Sequence, residues 1–387
     1  MKEILFKGAV CASLVLLSIV SMSCGKSNSG APPVIDTSGN KGVSYTSNNA
    51  TSAYNAFNTY LYNPDTKLYY RASDKSGTGA IWTQAIYWDM AMNAYKRTGD
   101  NKYKQLIEDI YQGGAARYAG YDWTNQKEWF IWDDIMWWII SMGRAYEVTG
   151  QQKYLDHAKA GFQLEWYGDP SLNRTGSYDP ATGGMEWAWT QRGKTACINY
   201  PTVIGAMTLY NITKDESYVD KARTVYNWAR NNLFNVNSGK VADNKVDNNP
   251  ADWTTHTYNQ ATCIGAAVML FHKTGDSMYL TDALHAADYT KNNMCDGNGI
   301  LPFEGGEEQG VYNAILAQYM IRLIVDCNRP EYLTWLRKNI NTAYGKRNLS
   351  TGLMGKDYKT TPPAGVPVSC YDACSIPALM QVIPPVD

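Results

Sequence analysis

The sequence predicts an all-α fold of the (α/α)6 toroid type, a closed ring of six helical hairpins, because one turn motif recurs four times between apolar and amphipathic segments. The four copies are Tyr95–Tyr103, Tyr146–Tyr154, Tyr210–Tyr218 and Phe271–Tyr279. Their threonines, at 98, 149, 213 and 274, are separated by 51, 64 and 61 residues. Each turn follows an apolar helix and opens a second, more amphipathic one, as expected of a glycine C-cap followed by a polar N-cap.

Two further hairpins complete the count. Cys327–Pro330, just before Glu331, is a fifth turn of different sequence. A helix near Ala50–Tyr62 and another near Tyr371–Gln381 pair to give the sixth hairpin. Twelve helices with this periodicity predict a closed toroid, with an open helical solenoid as the alternative.

The N-terminus indicates export. Residues 1–23 contain an apolar run from Ile4 to Met22 and have the features of a lipoprotein-type signal peptide. Cys24 follows it as the lipidation site, although Ser21 stands where such sites usually have leucine. Residues 24–44 form a flexible linker and residues 45–387 a single domain. We expect a lipid anchor in the bacterial outer membrane, facing either the cell surface or the periplasm. Soluble secretion and an uncleaved anchor are the alternatives.

Composition excludes several partners. A formal net charge of −1 provides no basic field for nucleic acid. We expect membrane contact only through the lipid anchor, since no second span of 18 or more apolar residues occurs. No CxxC pair or His/Cys cluster indicates a metal, and we expect no cofactor and a monomer. Six cysteines outside the signal and Cys24 allow disulfides in 15 pairings, or they are buried free thiols.

Asp133 and Asp134 are the candidate catalytic residues. They lie between Trp132 and the pair Trp137 and Trp138, at the start of an almost wholly apolar helix. One interpretation is helix capping and compensation of the helix dipole. Neighbouring residues on a helix point roughly 100° apart, which allows carboxyl groups about 5–6 Å from each other. That separation suits a retaining glycosidase, and tryptophan rings suit the apolar faces of sugars.

The long connections would all lie at the rim where the inner helices begin, which is where a binding site is expected. These connections are 113–130, 167–194, 235–255 and 294–308. The predicted substrate-binding residues at this rim are Trp82, Gln84, Trp132, Trp187, Trp189, Asn199, Tyr258, Asn259 and Gln260. Their amides and rings match what a neutral polysaccharide requires of a cleft. Glu304, Glu307 and Glu308 are rival acids for a catalytic role.

At these motifs the sequence resembles glycoside hydrolase family 76, the bacterial endo-α-1,6-mannanases with fungal transglycosidase relatives. The resemblance is carried by the Asp133–Trp138 segment, the Gly183–Trp187 loop, Lys194–Asn199, Tyr258–Gln260 and the hairpin turns. It implies a retaining mechanism with Asp133 as nucleophile and Asp134 as acid/base. Ala261 departs from the glycine expected after Tyr-Asn-Gln, and Lys214 replaces the glycine of the third turn.

The expected function is therefore endo-acting hydrolysis of α-1,6-mannosidic linkages in mannan. A non-catalytic mannan-binding lipoprotein would use the same aromatic residues but would not need the acid pair. A transglycosidase or another (α/α)6 glycosidase would use the same scaffold.

Overall fold

A computed structural model of the chain describes residues 44–190 and 193–386. These belong to the larger of two compact units, Asp36–Asp387, whereas the smaller unit, Met1–Ile35, lies outside the described residues. The predicted signal peptide, Cys24 and almost all of the predicted linker therefore also lie outside them.

The described part of the chain contains twelve α-helices joined by turns and long loops. They are α1 (Ser47–Leu61), α2 (Ile81–Thr98), α3 (Asn101–Arg117), α4 (Trp132–Thr149), α5 (Gln152–Tyr167), α6 (Ala196–Thr213), α7 (Glu216–Leu233), α8 (Thr257–Thr274), α9 (Ser277–Tyr289), α10 (Tyr312–Asp326), α11 (Leu333–Gly345) and α12 (Cys370–Val382). Two short antiparallel ladders lie in the loops: β1 (Tyr62–Asn63) with β2 (Leu68–Tyr69), and β3 (Lys194–Thr195) with β4 (Asn244–Lys245).

The even-numbered helices form a closed inner ring. Each of α2, α4, α6, α8 and α10 packs against the next even-numbered helix, and α12 packs against α2. The odd-numbered helices form an outer layer, each in contact with an inner helix, and α1 pairs with α12 as the sixth hairpin. The predicted (α/α)6 toroid is confirmed, and the open solenoid is excluded because the ring closes.

The two layers differ in how much of each helix is buried. In the inner helix α6 every residue from Ala196 to Leu209 is buried, because neighbouring helices cover it on all sides. In the outer helix α7 the buried residues recur every three or four positions, at Val219, Ala222, Val225, Tyr226, Ala229 and Leu233. That spacing gives one apolar stripe facing the inner ring.

The recurrent turn joins an inner helix to its outer partner. Gly99 after α2 has a φ of 67°, in the left-handed region. The Thr98 hydroxyl donates to the Ala94 carbonyl (2.8 Å) and accepts from the Asp100 amide (3.1 Å). Asp100 then caps α3 by accepting from the Lys102 amide at 3.0 Å. Lys214 adopts the same conformation in the third turn, with a φ of 60°, at the steric cost that glycine avoids.

Two further expectations are resolved by the described residues. All six cysteines, at 197, 263, 295, 327, 370 and 374, are free thiols, so no disulfide braces this part of the chain. Over the same residues, no helix is both long enough and apolar enough to cross a bilayer.

Candidate active site

The aspartate pair lies where the tryptophan loop pairs with the chain entering α4. Ile131 forms a bridge with Ala188. The Trp132 amide donates to the Trp187 carbonyl at 3.0 Å, and the Trp189 amide donates to the Phe130 carbonyl at 3.1 Å. These bonds hold the loop against the first turn of α4, so the carboxylates and both loop tryptophans occupy one side of the rim.

Capping does not explain the pair. Ile131 is the N-cap of α4, and no side chain caps that end of the helix. Asp133 and Asp134 are in the first turn, where the helix dipole favours negative charge. Oδ1 of Asp133 is buried and has no hydrogen-bond partner among the described residues. A buried carboxylate oxygen without a partner is costly, so its retention indicates a chemical role.

Both carboxyl groups have raised pKa values, by different amounts. Burial raises the pKa of Asp133 to about 7, although the neighbouring side chains of Cys197, Trp187 and Trp137 oppose the rise. Burial raises the pKa of Asp134 well above its usual range, and the charges of Asp133 and Glu308 raise it further. Once Asp133 carries its charge, that charge opposes ionisation of Asp134. Near neutral pH the pair supplies one carboxylate and one carboxylic acid.

A second cluster, made of Asp243, His256 and Glu304, lies beside Asp133; of these, the sequence pointed only to Glu304 as a candidate acid. Asp243, from the loop between α7 and α8, accepts from Asn244 Nδ2 (3.0 Å) and Asn259 Nδ2 (3.1 Å). His256 Nε2 lies 3.8 Å from Asp243 Oδ1, and His256 Nδ1 bonds Glu304. Burial would lower the pKa of His256, but these two acids raise it above its usual value. A cationic His256 would offset negative charge next to the catalytic pair.

Each of the three rival acids has a hydrogen bond or an ion pair with a residue other than the two aspartates. Besides its contact with His256, Glu304 accepts from the Thr257 amide at 2.7 Å. Glu307 forms an exposed ion pair with Arg71 at 2.6 Å. Glu308 accepts from Trp82 Nε1 at 2.7 Å and contributes to the raised pKa of Asp134. Of the three, Glu308 has a direct electrostatic link to the aspartate pair, which makes it a neighbour of the site rather than a substitute for it.

The predicted aromatic residues fall into two groups. Trp187 and Trp189 are partly exposed on the loop, and Trp82 is partly exposed with its ring centroid 6.0 Å from that of Trp137. Tyr258 is 8% exposed and stacks on Tyr312 with 3.9 Å between ring centroids. Trp132, in contrast, is 1% exposed, and the Arg174 guanidinium lies 4.1 Å from its ring centroid. The prediction of sugar contact is not supported for Trp132, because its side chain is buried.

Three predicted substrate-binding amides instead hold loops, and sugar contact is not supported for them either. Gln84, Asn199 and Gln260 are fully buried, and each occupies the fourth position of an inner helix. The Gln84 side chain bonds the amide and carbonyl of Tyr69 and the carbonyl of Gly79. The Gln260 side chain bonds the main chain at positions 239, 241 and 286. Because all three amides stand at the fourth position of an inner helix, their shared position in the sequence could have predicted a common structural role.

Asn199 and Asn259 show the same burial with different consequences. Asn199 accepts from the Met185 amide (2.8 Å) and donates to the carbonyls of Met185 (3.1 Å) and Thr195 (2.8 Å). It thereby anchors the tryptophan loop to α6. Asn259 is also fully buried, but its amide reaches Asp243, so it acts on the site through that carboxylate.

Replacing Asn199 with alanine should destabilise the protein by about 2–4 kcal/mol, because two main-chain groups of Met185 lose their buried partner. Urea unfolding followed by far-UV circular dichroism measures this change. Thr224→Ala, on the exposed side of α7, is the matched control and should shift the midpoint little. Equal midpoints for the two variants would show that Asn199 does not anchor the loop.

Three exposed aromatic residues near the site escaped the sequence analysis. Phe130, Trp253 and Phe303 are 46%, 39% and 53% exposed, respectively, and each lies on one of the long rim loops. In the sequence, Phe130 lies three residues before Asp133, Trp253 three before His256, and Phe303 directly before Glu304. These residues lie in irregular loops and not in a periodic pattern, so nothing in the sequence indicated that their side chains would be exposed.

The sequence was compared with the profiles of known protein families. The profile of Glycosyl hydrolase family 76 matches residues 44–368, which is most of the chain. The chain belongs to Glycosyl hydrolase family 76. The resemblance noted from the aspartate pair and the hairpin turns is thus confirmed.

Solved structures agree with this assignment. The α-1,6-mannanase of Salegentibacter sp. HEL1_6 superposes with a TM-score of 0.78 at 26% identity, covering 87% of this chain and 98% of that one. An inactive variant of the same mannanase, with two adjacent aspartates replaced by asparagine, has been solved with α-1,6-mannotriose. A family 76 mannosidase of Bacteroides thetaiotaomicron shares the fold at 17% identity, with a TM-score of 0.70 and coverage of 87% and 96%.

A curated relative is more distant. A Schizosaccharomyces pombe protein assigned as a mannan endo-1,6-α-mannosidase is 22% identical over 239 residues, or 55% of this chain. The match spans about half (51%) of that protein's length.

Proposed function

We propose that this family 76 protein is a retaining, endo-acting glycoside hydrolase that cleaves α-1,6-mannosidic linkages in mannan. The observation that carries the proposal is a pair of neighbouring carboxyl groups in the first turn of α4, in which the charge on Asp133 raises the pKa of Asp134. A retaining double displacement needs one carboxylate and one carboxylic acid at the same pH. A protein that only captured mannan would have no use for two neighbouring acids with raised pKa values.

The mechanism assigns each carboxyl group a role. The Asp133 carboxylate attacks the anomeric carbon while the bond from that carbon to the leaving oxygen breaks. The leaving oxygen keeps the bonding electrons and takes the proton of Asp134. Asp134, now a carboxylate, then removes a proton from water, whose oxygen attacks the anomeric carbon and expels Asp133. Two inversions leave the configuration of the product as it was in the substrate.

The relatives support the choice of substrate. The Salegentibacter mannanase loses activity when two adjacent aspartates are replaced and still holds α-1,6-mannotriose. Asp133–Asp134 is the single adjacent aspartate pair in the present sequence. We assign substrate contact to the partly exposed rings at the rim, Trp82, Trp187 and Trp189, and to Tyr258. We extend this assignment to the exposed Phe130, Trp253 and Phe303 on the rim loops, because an endo-acting cleft also contacts sugar units beyond the cleaved linkage.

The test is incubation with unbranched α-1,6-mannan, with chromatography of the products and NMR of the new anomeric signal. A ladder of oligosaccharides whose first-formed anomer is α supports the proposal. Release of monosaccharide alone contradicts endo action, and products longer than the starting chains indicate a transglycosidase. No turnover together with retention on a mannan column favours the glycan-binding lipoprotein.

We further propose that Cys24 carries a lipid that anchors the protein to the outer membrane, because an apolar run ends at this cysteine and a polar linker follows. Cys24→Ser should move the protein from the membrane fraction to the soluble fraction. Fractionation followed by immunoblotting measures the shift, with Cys327→Ser as the control cysteine. Unchanged membrane retention of the Cys24 variant would contradict lipidation.

A further inference from the structure

A pocket lies against the β3–β4 ladder, on the face that carries Lys194 and Lys245. Its volume is about 360 Å³, within the range of small-molecule sites. Its lining includes Asp179, Glu186, Lys194, Trp228, Lys245 and Asp247. The residues come from the tryptophan loop, from the outer helix α7 and from the loop after β4, so three separate elements converge on it.

The ladder separates this pocket from the candidate active site. Lys194 pairs with Lys245 and Thr195 with Asn244, and paired residues on neighbouring strands share one face. Both lysines line the pocket. On the other face, Thr195 Oγ1 lies 3.0 Å from Cys197 Sγ, and Asn244 Nδ2 bonds Asp243 at 3.0 Å. The pocket therefore lies on one face of the β3–β4 ladder, and the neighbours of Asp133 lie on the other face.

The side chains that line the pocket are fixed by contacts with neighbouring residues. Lys194 is 8% exposed, and its Nζ forms an ion pair with Asp179 at 2.8 Å. Lys245 Nζ donates to Asn232 Oδ1 at 3.1 Å. The Trp228 ring packs so closely on Gly184 that a Cβ there would lie 2.5 Å from ring atom Cδ2. A preformed wall loses little entropy on binding, which favours a true ligand site over a surface depression.

The charges of the pocket select its ligand. Lys194 is neutralised by Asp179, and Glu186 accepts from the Gly193 amide at 2.7 Å with one of its two oxygens. With Lys245 and Asp247 the lining has two positive and three negative groups, which opposes binding of phosphate or an acidic sugar. The Lys194 ammonium is fully used by Asp179, Thr182 and the Gly183 carbonyl. The remaining Lys245 ammonium hydrogens and the carboxylate oxygens suit hydroxyl groups, and the indole supplies an apolar surface.

We propose that this pocket is an accessory site that binds a neutral hexosyl unit of the mannan. The inference rests on the proposed function for its substrate, but it concerns binding and not turnover. Because the ladder lies between the two sites, the hexosyl unit held here is not the one bonded to Asp133. It belongs either to a side branch or to a distant part of the same backbone, and both present the same pyranose hydroxyls.

The first test counts sugars on the protein. Asp133→Asn serves as the parent, so that the probe, α-1,6-mannotetraose, is not consumed. Native mass spectrometry should show two molecules bound to the parent and one after Lys245→Met and Asn248→Ala are added, since both residues line the pocket. Lys273→Met, in the last turn of α8 and outside the lining of this pocket, is the control and should keep two. A single bound sugar in the parent, or two in the pocket variant, would overturn the proposal.

The second test separates the two sources of the hexosyl unit by affinity electrophoresis in gels containing mannan. The pocket variant in the Asp133→Asn background should be retarded about tenfold less, because losing one of two linked sites removes the gain from multivalency. A loss confined to branched mannan identifies a side branch, and a loss on unbranched mannan as well identifies the backbone. Equal retardation on both overturns the accessory site, whereas failure of wild-type protein to cleave mannan affects only the proposed function.

Discussion

Asp133→Asn should reduce the hydrolysis of α-1,6-mannan by roughly 10⁴-fold or more, because it removes the group that forms the covalent intermediate. The loss should be in kcat, with little change in the affinity for α-1,6-mannotriose. Reducing-sugar release measures the first quantity and titration calorimetry the second. Asp133→Ala should behave alike, and it excludes residual activity caused by deamidation of the asparagine back to aspartate.

Glu307→Gln is the matched control, since Glu307 is a rim carboxylate whose exposed ion pair with Arg71 places it outside the proposed chemistry. It should keep activity within a factor of about two, as expected for an exposed ion pair. Near wild-type activity in the Asp133 variants, or a comparable loss in the Glu307 variant, would show that the nucleophile has been assigned to the wrong acid.

The same substitution should stabilise the protein at alkaline pH. A carboxyl group whose pKa is raised on folding binds its proton more tightly in the native state, so stability falls as pH rises above the unfolded value. For Asp133 the fall extends from its ordinary range near 4 to about 7. Asp133→Asn removes this contribution, so the gain in melting temperature over wild type should be larger at pH 8 than at pH 4.

The fold could be predicted because its signals are local and repeated. The turn at Thr98 reappears at 149, 213 and 274, and each copy combines a left-handed residue with the start of a new helix. Closure of the ring was harder to predict than the hairpins, because it required pairing α1 with α12, which are separated by most of the chain. The contact between these helices bears that pairing out.

The site could be predicted only in part, for a physical reason. Gln84, Asn199 and Gln260 are polar residues at the rim, but the direction of a side chain depends on which loop folds back over it. In each case a loop supplied buried main-chain groups that the amide satisfies. Asp243 was missed for the converse reason, because nothing local separates it from Asp247 and Asp252 in the same loop. Its importance comes from tertiary contacts with His256 and Asn259.

Asp134→Asn should impair a different step from the one that Asp133→Asn abolishes. Without an acid to protonate the leaving oxygen, cleavage of mannan should fall about 10²–10⁴-fold, the usual contribution of general acid catalysis. An aryl mannoside with a good leaving group needs little protonation, so it should still form the glycosyl-enzyme. The intermediate should then accumulate, because the second step also lacks its base, and mass spectrometry of the quenched protein should detect a mannosyl adduct.

Azide should rescue the Asp134 variant and not the Asp133 variant, because this anionic nucleophile needs no base to attack the intermediate. The product should be a mannosyl azide of retained α configuration, identified by NMR.

In wild type, kcat/KM should fall on the acidic side near the Asp133 pKa of about 7 and on the alkaline side where Asp134 ionises. Asp134→Asn should abolish the alkaline fall while leaving the acidic one. A β-mannosyl azide, or an alkaline limb that persists in this variant, would mean that Asp134 is not the acid/base and that Glu308, the acid that acts on it, must be tested next.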